Sequence, residues 1–292
     1  MNKWLVSMFG MAVAASVMAD GVTSGNTVGY MDMASASFKL ITPVFEKIDG
    51  TAWTLADIKP IDIASWDYND DCIYCYSGPN RLFIATYLTA AQAQEIVSDS
   101  GTSVTIGGVE TAAVDGWYDF VDVGEWGETG ELKCYNTTQI PFGGSGFAVK
   151  SGVGVRFVGQ VKVADQSLVS ASFKFVGNCS AADLTLADVK PANIASWDYN
   201  DDCIYCYSGP NRLFIATYLT AAQAQEIVSD SGTSVTMGGV ETAAVDGWYD
   251  FVDVGEWGET GELKCYNTTS LPAGSGFAVK SGVGVIIPSA IQ

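Results

Sequence analysis

The sequence predicts an all-β, mainly antiparallel protein made of two tandem β-sandwich or barrel-like domains, each with one short helix. The first observation is a repeat. Residues 63–138 and 194–269 have the same 76-residue sequence except at one position, where Ile106 of the first copy is Met237 in the second. A repeat of this length indicates two copies of one domain. The second observation is that short apolar and β-branched segments alternate with glycine-rich turns, which favours strands.

The individual elements can be placed in the first copy. One helix is expected to begin after Thr89, because Thr89-Ala90-Ala91-Gln92 is a capping-box pattern, and to end at Gly101. Gly107-Gly108 predicts a tight turn. Runs of apolar and β-branched residues predict strands at 38–45, 81–87, 146–150 and 153–158.

The N-terminal segment 1–19 is predicted to be a secretory signal peptide. A basic start with Lys3 precedes an apolar run, and Val17-Met18-Ala19 has the small residues that precede a cleavage site. The run is too short to span roughly 30 Å of hydrocarbon. We therefore expect a secreted, extracellular or cell-surface protein with no membrane span in the mature chain. Its repeat domains are predicted at 20–158 and 159–292, with no linker between them.

Charge and composition exclude several functions. The chain has 33 acidic and 14 basic residues, a net charge of −19 and no histidine. Nucleic acid is excluded as a partner because it demands a basic surface. The absence of histidine removes the commonest general base and every Ser-His or Cys-His nucleophile. We therefore expect no enzyme activity.

The cysteines predict disulfide bonds, because the chain is expected to be exported. Each copy has a Cys-x-x-Cys motif and a third cysteine 59 residues later, and only the second copy has a fourth, Cys179, where the first has Val44. The second copy can thus close two bridges and the first only one. The candidates are Cys72, Cys75, Cys134, Cys179, Cys203, Cys206 and Cys265.

An acidic segment in each copy is a candidate calcium site. Its side chains alternate along the chain, so they would share one face of an extended strand, and hard oxygen ligands suit Ca²⁺. The EF-hand pattern fails at Cys72 and Gly78, and the alternative is a solvated acidic loop. No other cofactor is expected. The candidates are Asp67, Asn69 and Asp71, and in the second copy Asp198, Asn200 and Asp202.

Aromatic residues alternate with acids in residues 115–128 and in the equivalent part of the second copy. Exposed rings beside carboxylates can stack on sugars, whereas the same rings can also fill a sandwich core, which is the favoured interpretation. The glycan-contact candidates are Trp117, Tyr118, Trp126, Trp248, Tyr249 and Trp257. Three asparagines match the Asn-x-Ser/Thr pattern for glycosylation, namely Asn136, Asn178 and Asn267.

Three segments carry a resemblance to other proteins. They are Asn26-Thr27-Val28-Gly29-Tyr30, the apolar strand 38–45 and the closing Gly-Phe-Ala-Val-Lys-Ser-Gly of each copy. In these the chain resembles a group of secreted bacterial proteins built from two tandem β-rich repeats, and more loosely fimbrial or filament subunits. The resemblance implies export and a β fold, and it implies no particular activity or functional residue.

We expect the protein to be a structural subunit of an extracellular filament or cell-surface assembly that polymerises head to tail with copies of itself. An unpaired strand edge is a template for another strand, and the N-terminal segment 20–36 could supply one. Contacts between different surfaces need not close, so they build filaments. The alternative is a bivalent carbohydrate-binding or adhesive protein that uses both copies on a polysaccharide or on surface glycans.

Overall fold

The described part of the chain folds into two tandem β-rich domains, each with one α-helix, which confirms the predicted fold class. This computed structural model describes residues 28–47, 49–77, 80–120, 130–140, 147–161, 166–180, 182–208, 211–250 and 261–288. The predicted signal peptide lies outside these residues. Across the described ranges, neither helix has the length and apolar character that crossing a membrane requires.

The first domain is built on one large sheet with the order β1-β12-β5-β6-β9-β10-β7-β8, and β2 and β4 also pair with β12. Most pairs are antiparallel, but β7 and β10 are parallel, which the sequence did not predict. The elements are β1 (Val28–Ile41), β2 (Phe45–Glu46), β3 (Trp53–Thr54), β4 (Lys59–Pro60), β5 (Cys72–Ser77), β6 (Asn80–Leu88), α1 (Ala90–Ser100), β7 (Ser103–Ile106), β8 (Val109–Thr111), β9 (Gly116–Asp119), β10 (Glu131–Cys134), β11 (Gln139–Ile140) and β12 (Phe147–Val161).

The second domain repeats this topology with the order β13-β23-β16-β17-β20-β21-β18-β19, and β15 also pairs with β23. Its elements are β13 (Gln166–Gly177), β14 (Leu184–Thr185), β15 (Lys190–Pro191), β16 (Cys203–Ser208), β17 (Asn211–Leu219), α2 (Ala221–Ser231), β18 (Ser234–Met237), β19 (Val240–Thr242), β20 (Gly247–Asp250), β21 (Glu262–Cys265), β22 (Ser270–Leu271) and β23 (Gly276–Ile287).

Each large sheet has a hydrophobic core on each of its two faces. In the first domain, the pair β3–β11 and the 3-10 turn Leu55–Asp57 cover one face, around the buried Trp117. Helix α1 covers part of the other face, where Leu88 and Tyr118 are fully buried. Because successive residues of a strand point to opposite faces, Trp117 and Tyr118 enter different cores.

The helix has the predicted boundaries. The Thr89 amide donates to Gln92 Oε1 at 2.9 Å, and Thr89 Oγ1 accepts from the Gln92 amide at 3.3 Å, which completes the capping box. Gly101 ends the helix in the left-handed conformation with φ of 68°, which glycine adopts without a steric penalty.

Strand β12 joins two segments that were predicted as separate strands. Gly154 has φ of 77°, and Ser151 Oγ accepts from the amides of Val153 and Gly154 at 3.0 and 3.2 Å. This bulge lets one strand bend across the whole domain. The strand continues to Val161, three residues beyond the predicted domain boundary at 158. The predicted strand 38–45 is instead interrupted at 42–44, where Pro43 lacks the amide that a sheet needs.

The two domains meet through equivalent surfaces. When Phe38 is aligned with Phe173, Thr42 is equivalent to Gly177, and a Cβ on Gly177 would lie 2.6 Å from Thr42 Cγ2. Burial raises the pKa of Tyr76, and the charge of the equivalent Tyr207 also helps to raise it. Equivalent residues that meet each other indicate a pseudo-two-fold relation inside the chain. A head-to-tail arrangement therefore stays a prediction for contacts between chains only.

Candidate functional site

The predicted calcium segment is a hydrogen-bonded turn rather than a strand. Asp67 Oδ1 accepts from the Asn69 amide, and Asp71 Oδ2 accepts from the Asp67 amide, both at 3.0 Å. The expectation of a shared strand face is therefore wrong, because these carboxylates fold back on their own backbone. Asp198, Asn200 and Asp202 repeat the arrangement. Among the described residues, no group of three or more cysteine, aspartate or glutamate side chains is placed to hold a metal ion.

Four of the six glycan-contact candidates are core residues. Trp117, Tyr118, Trp248 and Tyr249 are all fully buried. Their polar atoms are also satisfied inside the domain, since Trp117 Nε1 donates to the Ile58 carbonyl at 2.8 Å and the Tyr118 hydroxyl donates to the Val114 carbonyl at 2.7 Å. These rings cannot reach a sugar, and the core interpretation is confirmed for them. Trp126 and Trp257 lie outside the described residues.

The glycosylation candidates hold loops together. Asn178 is fully buried and its Nδ2 donates to the carbonyls of Ala182 and Leu271 at 2.9 and 2.7 Å, so a glycan on it has no room. Asn136 accepts from the Trp117 amide at 3.0 Å and packs directly over Gly116. Asn267 has the same role beside Gly247.

The predicted disulfides are not formed in the described part of the chain, and all seven cysteines are buried. Cys72 and Cys75 are three residues apart on β5, so they point to opposite faces of the sheet. Cys75 belongs to the core around Trp117, whereas Cys134 belongs to the core under α1. The sheet itself therefore separates Cys75 from both Cys72 and Cys134 in the first copy. Burial raises the pKa of Cys206 to about 12, which keeps that thiol protonated and unreactive.

One carboxyl group in each copy has an unusual environment. Burial raises the pKa of Asp119 to about 6, although its Oδ1 accepts from the Lys133 amide at 2.9 Å. Next to it, the rings of Phe83 and Tyr135 stack face to face with centroids 3.7 Å apart. Asp250 in the second copy also has a raised pKa because of burial. A single carboxyl with a structural hydrogen bond can take up a proton, but it does not form an acid–base pair.

The edges of the large sheets differ sharply in length. Strand β8 has three residues and includes Glu110, and all three are exposed. Strand β1 has 14 residues, of which only Asp32 and Lys39 are charged; among the described residues it pairs along its length with β12, and Ile41 at its end forms an isolated bridge with Ser275 of the second domain. Short, charged edge strands resist further pairing, whereas long edges invite it. In the second domain, β19 and β13 repeat this contrast, with three and 12 residues.

The long edge is fixed to its own domain at one point that the second domain lacks. Arg156 Nη2 on β12 donates to Asp32 Oδ2 on β1 at 2.7 Å, and Nε donates to the other carboxylate oxygen. The equivalent pair in the second domain is Ser167 opposite Ile286. Residues 28–36 of the predicted donor segment thus belong to a strand of their own domain, and residues 20–27 lie outside the described residues.

An aromatic contact between the domains was missed by the sequence analysis. Tyr76 packs edge to face on Phe175 with ring centroids 5.0 Å apart, and Tyr76 also contacts Phe38. Phe175 in turn contacts Phe173 and Tyr207. The signal in the sequence was the alternation of tyrosine and cysteine in β5, which leaves Tyr74 and Tyr76 on the face opposite Cys75.

Comparisons with known proteins add no further constraint. No protein-family model matches the chain, and neither a curated protein nor a solved structure is significantly similar to it.

Proposed function

We propose that the protein is a structural subunit of an extracellular filament or cell-surface assembly, and that copies associate through the long edge strands β1 and β13. The observation that supports this proposal is the contrast between the two edges of each sheet. One edge is short and carries a glutamate, whereas the other extends over 14 or 12 residues with few charges. Backbone amide and carbonyl groups along such an edge can pair with a strand of another copy.

The described part of the chain favours edge addition over donation of the N-terminal strand. To donate residues 28–36, the chain would have to break the pairing of β1 with β12 and the ion pair between Asp32 and Arg156. Edge addition leaves both domains folded, because it adds hydrogen bonds between copies without breaking the pairing of β1 or its ion pair. It also gives one chain two binding edges, which is the minimum for a linear assembly.

The charge of the chain sets the conditions for assembly. A net charge of −19 makes copies repel each other at low ionic strength. At about 0.15 M salt the repulsion between exposed charges extends only over about 8 Å. We therefore expect association to increase with salt and with protein concentration.

The test is sedimentation velocity and negative-stain microscopy of the mature chain over a range of salt concentrations. Tyr30→Lys adds a charge to β1, and Val109→Lys adds the same charge to the exposed position on the short strand β8. We expect Tyr30→Lys to suppress oligomers and Val109→Lys to leave them unchanged. A wild-type protein that stays monomeric at high concentration and salt, or equal effects of both variants, would overturn the proposal.

A further inference from the structure

A cavity of about 310 Å³ lies between the two domains. Phe38, Lys39 and Leu40 of β1 form the wall on the first domain. On the second domain the wall includes Tyr207, Leu213 and residues 269–272. Neither domain forms the cavity alone, because each supplies only one side. Its volume is that of roughly ten water molecules, at the lower end of the range for small-molecule sites.

Among the described residues that line the cavity, Lys39 is the single cation. Its side chain is partly buried, and this burial lowers the pKa of the ammonium group. Asp183 attracts the charge and acts in the opposite direction, but among the described residues no carboxylate is close enough to form an ion pair with Lys39. A partly desolvated cation gains much from an anionic partner. In a chain with 33 acidic residues, such a cation is unusual.

The second copy has a different residue at one position of this wall. Phe175 occupies the position equivalent to Leu40, and its ring packs on Tyr76 of the first domain. On the other side of the pseudo-two-fold axis, the smaller Leu40 faces the cavity together with Tyr207. The lysine equivalent to Lys39 is Lys174, which is exposed to solvent. The divergence of the first strands has thus left an open space with a cation beside it.

We propose that this cavity binds a small organic monoanion, an aromatic or branched aliphatic carboxylate, with its carboxylate on Lys39 and its apolar part between Phe38, Leu40 and Tyr207. One cation among apolar walls suits a single negative charge, because a dianion would bury a second charge without a partner. Binding at a surface made by both domains stabilises their docked arrangement by mass action. This site does not depend on the assembly proposed above.

The experiment is isothermal titration calorimetry of the mature chain with benzoate, phenylacetate, 3-phenylpropionate and 4-methylpentanoate. Phenylacetamide is the neutral control, since it has the shape of phenylacetate without its charge. We expect at least one carboxylate to bind, and the amide to bind at least about tenfold more weakly, which corresponds to about 1.4 kcal/mol.

Three variants test whether the carboxylate binds in the cavity itself. Lys39→Met keeps the apolar part of the side chain and should weaken carboxylate binding at least about tenfold. Lys174→Met is the matched control and should leave binding unchanged. Leu40→Phe places the residue of the second copy in the cavity and should abolish binding while the protein stays folded, as circular dichroism can verify. The absence of binding by all four carboxylates, or equal losses in the two lysine variants, would overturn the proposal.

Discussion

The first and second domains share a nearly identical block of 76 residues, and the strands and the α-helix described in this block recur in both copies. Trp117 and Trp248 are both fully buried, and each donates to a backbone carbonyl at 2.8 Å. The first strands of the two domains differ, and so do their surroundings. Leu40 lines a cavity whereas Phe175, at the equivalent position, packs on Tyr76. The shared block therefore determines the fold, whereas the divergent strands determine how the two copies meet.

The largest effect should come from the shared block. Trp117→Ala and Trp248→Ala each remove a fully buried ring and its hydrogen bond. Each should lower the free energy of unfolding of its own domain by about 3–5 kcal/mol. Urea denaturation followed by tyrosine and tryptophan fluorescence measures both. If the two losses differ by more than about 1 kcal/mol, the cores are not equivalent.

The contact between the domains can be broken at one position. A Cβ on Gly177 would lie 2.6 Å from Thr42 Cγ2 and 2.7 Å from the Ser275 carbonyl oxygen, whereas a Cβ on Gly152 meets nothing within 4 Å. Gly177→Ala should therefore destabilise the docked domains by about 1–3 kcal/mol. Gly152→Ala should change stability by less than about 0.5 kcal/mol. Differential scanning calorimetry compares them, and equal behaviour of the two variants would contradict the observed docking.

The partly buried carboxyls Asp119 and Asp250 give the two domains a pH dependence of the same sign. The pKa of Asp119 is raised from 3.8 to about 6, so the folded state binds this proton more tightly than the unfolded state does. The stabilisation is fully present below pH 3.8 and is lost as the pH rises through about 6. The asparagine in Asp119→Asn resembles the protonated carboxyl and does not titrate. The stability of this variant relative to wild type should therefore increase as the pH rises through this interval.

Urea denaturation at several pH values tests this dependence. Asp250→Asn should show the same trend in the second domain, because burial raises the pKa of Asp250 as well. Asp70→Asn, at an exposed position, is the control. If the difference in unfolding free energy between Asp119→Asn and wild type does not vary with pH, the pKa of Asp119 is not raised in the folded state.

The smallest effect concerns the ion pair that only the first domain has. Arg156→Ile introduces the residue of the second copy and removes the contact with Asp32. Both side chains are more than a third exposed, at 42% and 35%, and ion pairs at such sites contribute about 0.2–1 kcal/mol. Chemical denaturation at low and high salt measures the change. If the free energy of unfolding falls by well over about 1 kcal/mol, the ion pair does more than hold the edge strand β1 in place.

The parts of the structure that could be predicted from the sequence depend on residues that are close together in the chain. The helix from Ala90 to Ser100 follows from its capping box, and the domain count follows from the repeat. The bend of β12 could not be predicted, because it depends on the Ser151 hydroxyl binding the amide of Gly154. Alternation alone likewise did not show that the acidic segment at Asp67 forms a turn.

The candidate cavity could not be predicted for a different reason. It depends on Leu40 and Tyr207, which lie in different copies and meet only when the domains dock. Lys39 and Lys174 occupy equivalent positions in matching sequence, yet one is partly buried and the other exposed. Disulfides were predicted from the spacing of the cysteines, but spacing does not reveal that the sheet separates Cys75 from Cys134.

The pairing of β1 with β12 has a consequence during synthesis. The first domain cannot close until its last strand has left the ribosome, because Val28 pairs with Gln160. Soon afterwards the nascent chain contains two identical versions of the next strand, Cys72–Ser77 and Cys203–Ser208, and either can pair with β12 or β23. Tandem identical domains are prone to such strand exchange. The differing first strands, with an ion pair in only one of them, give each closing strand its own partner and so direct each copy to fold within itself.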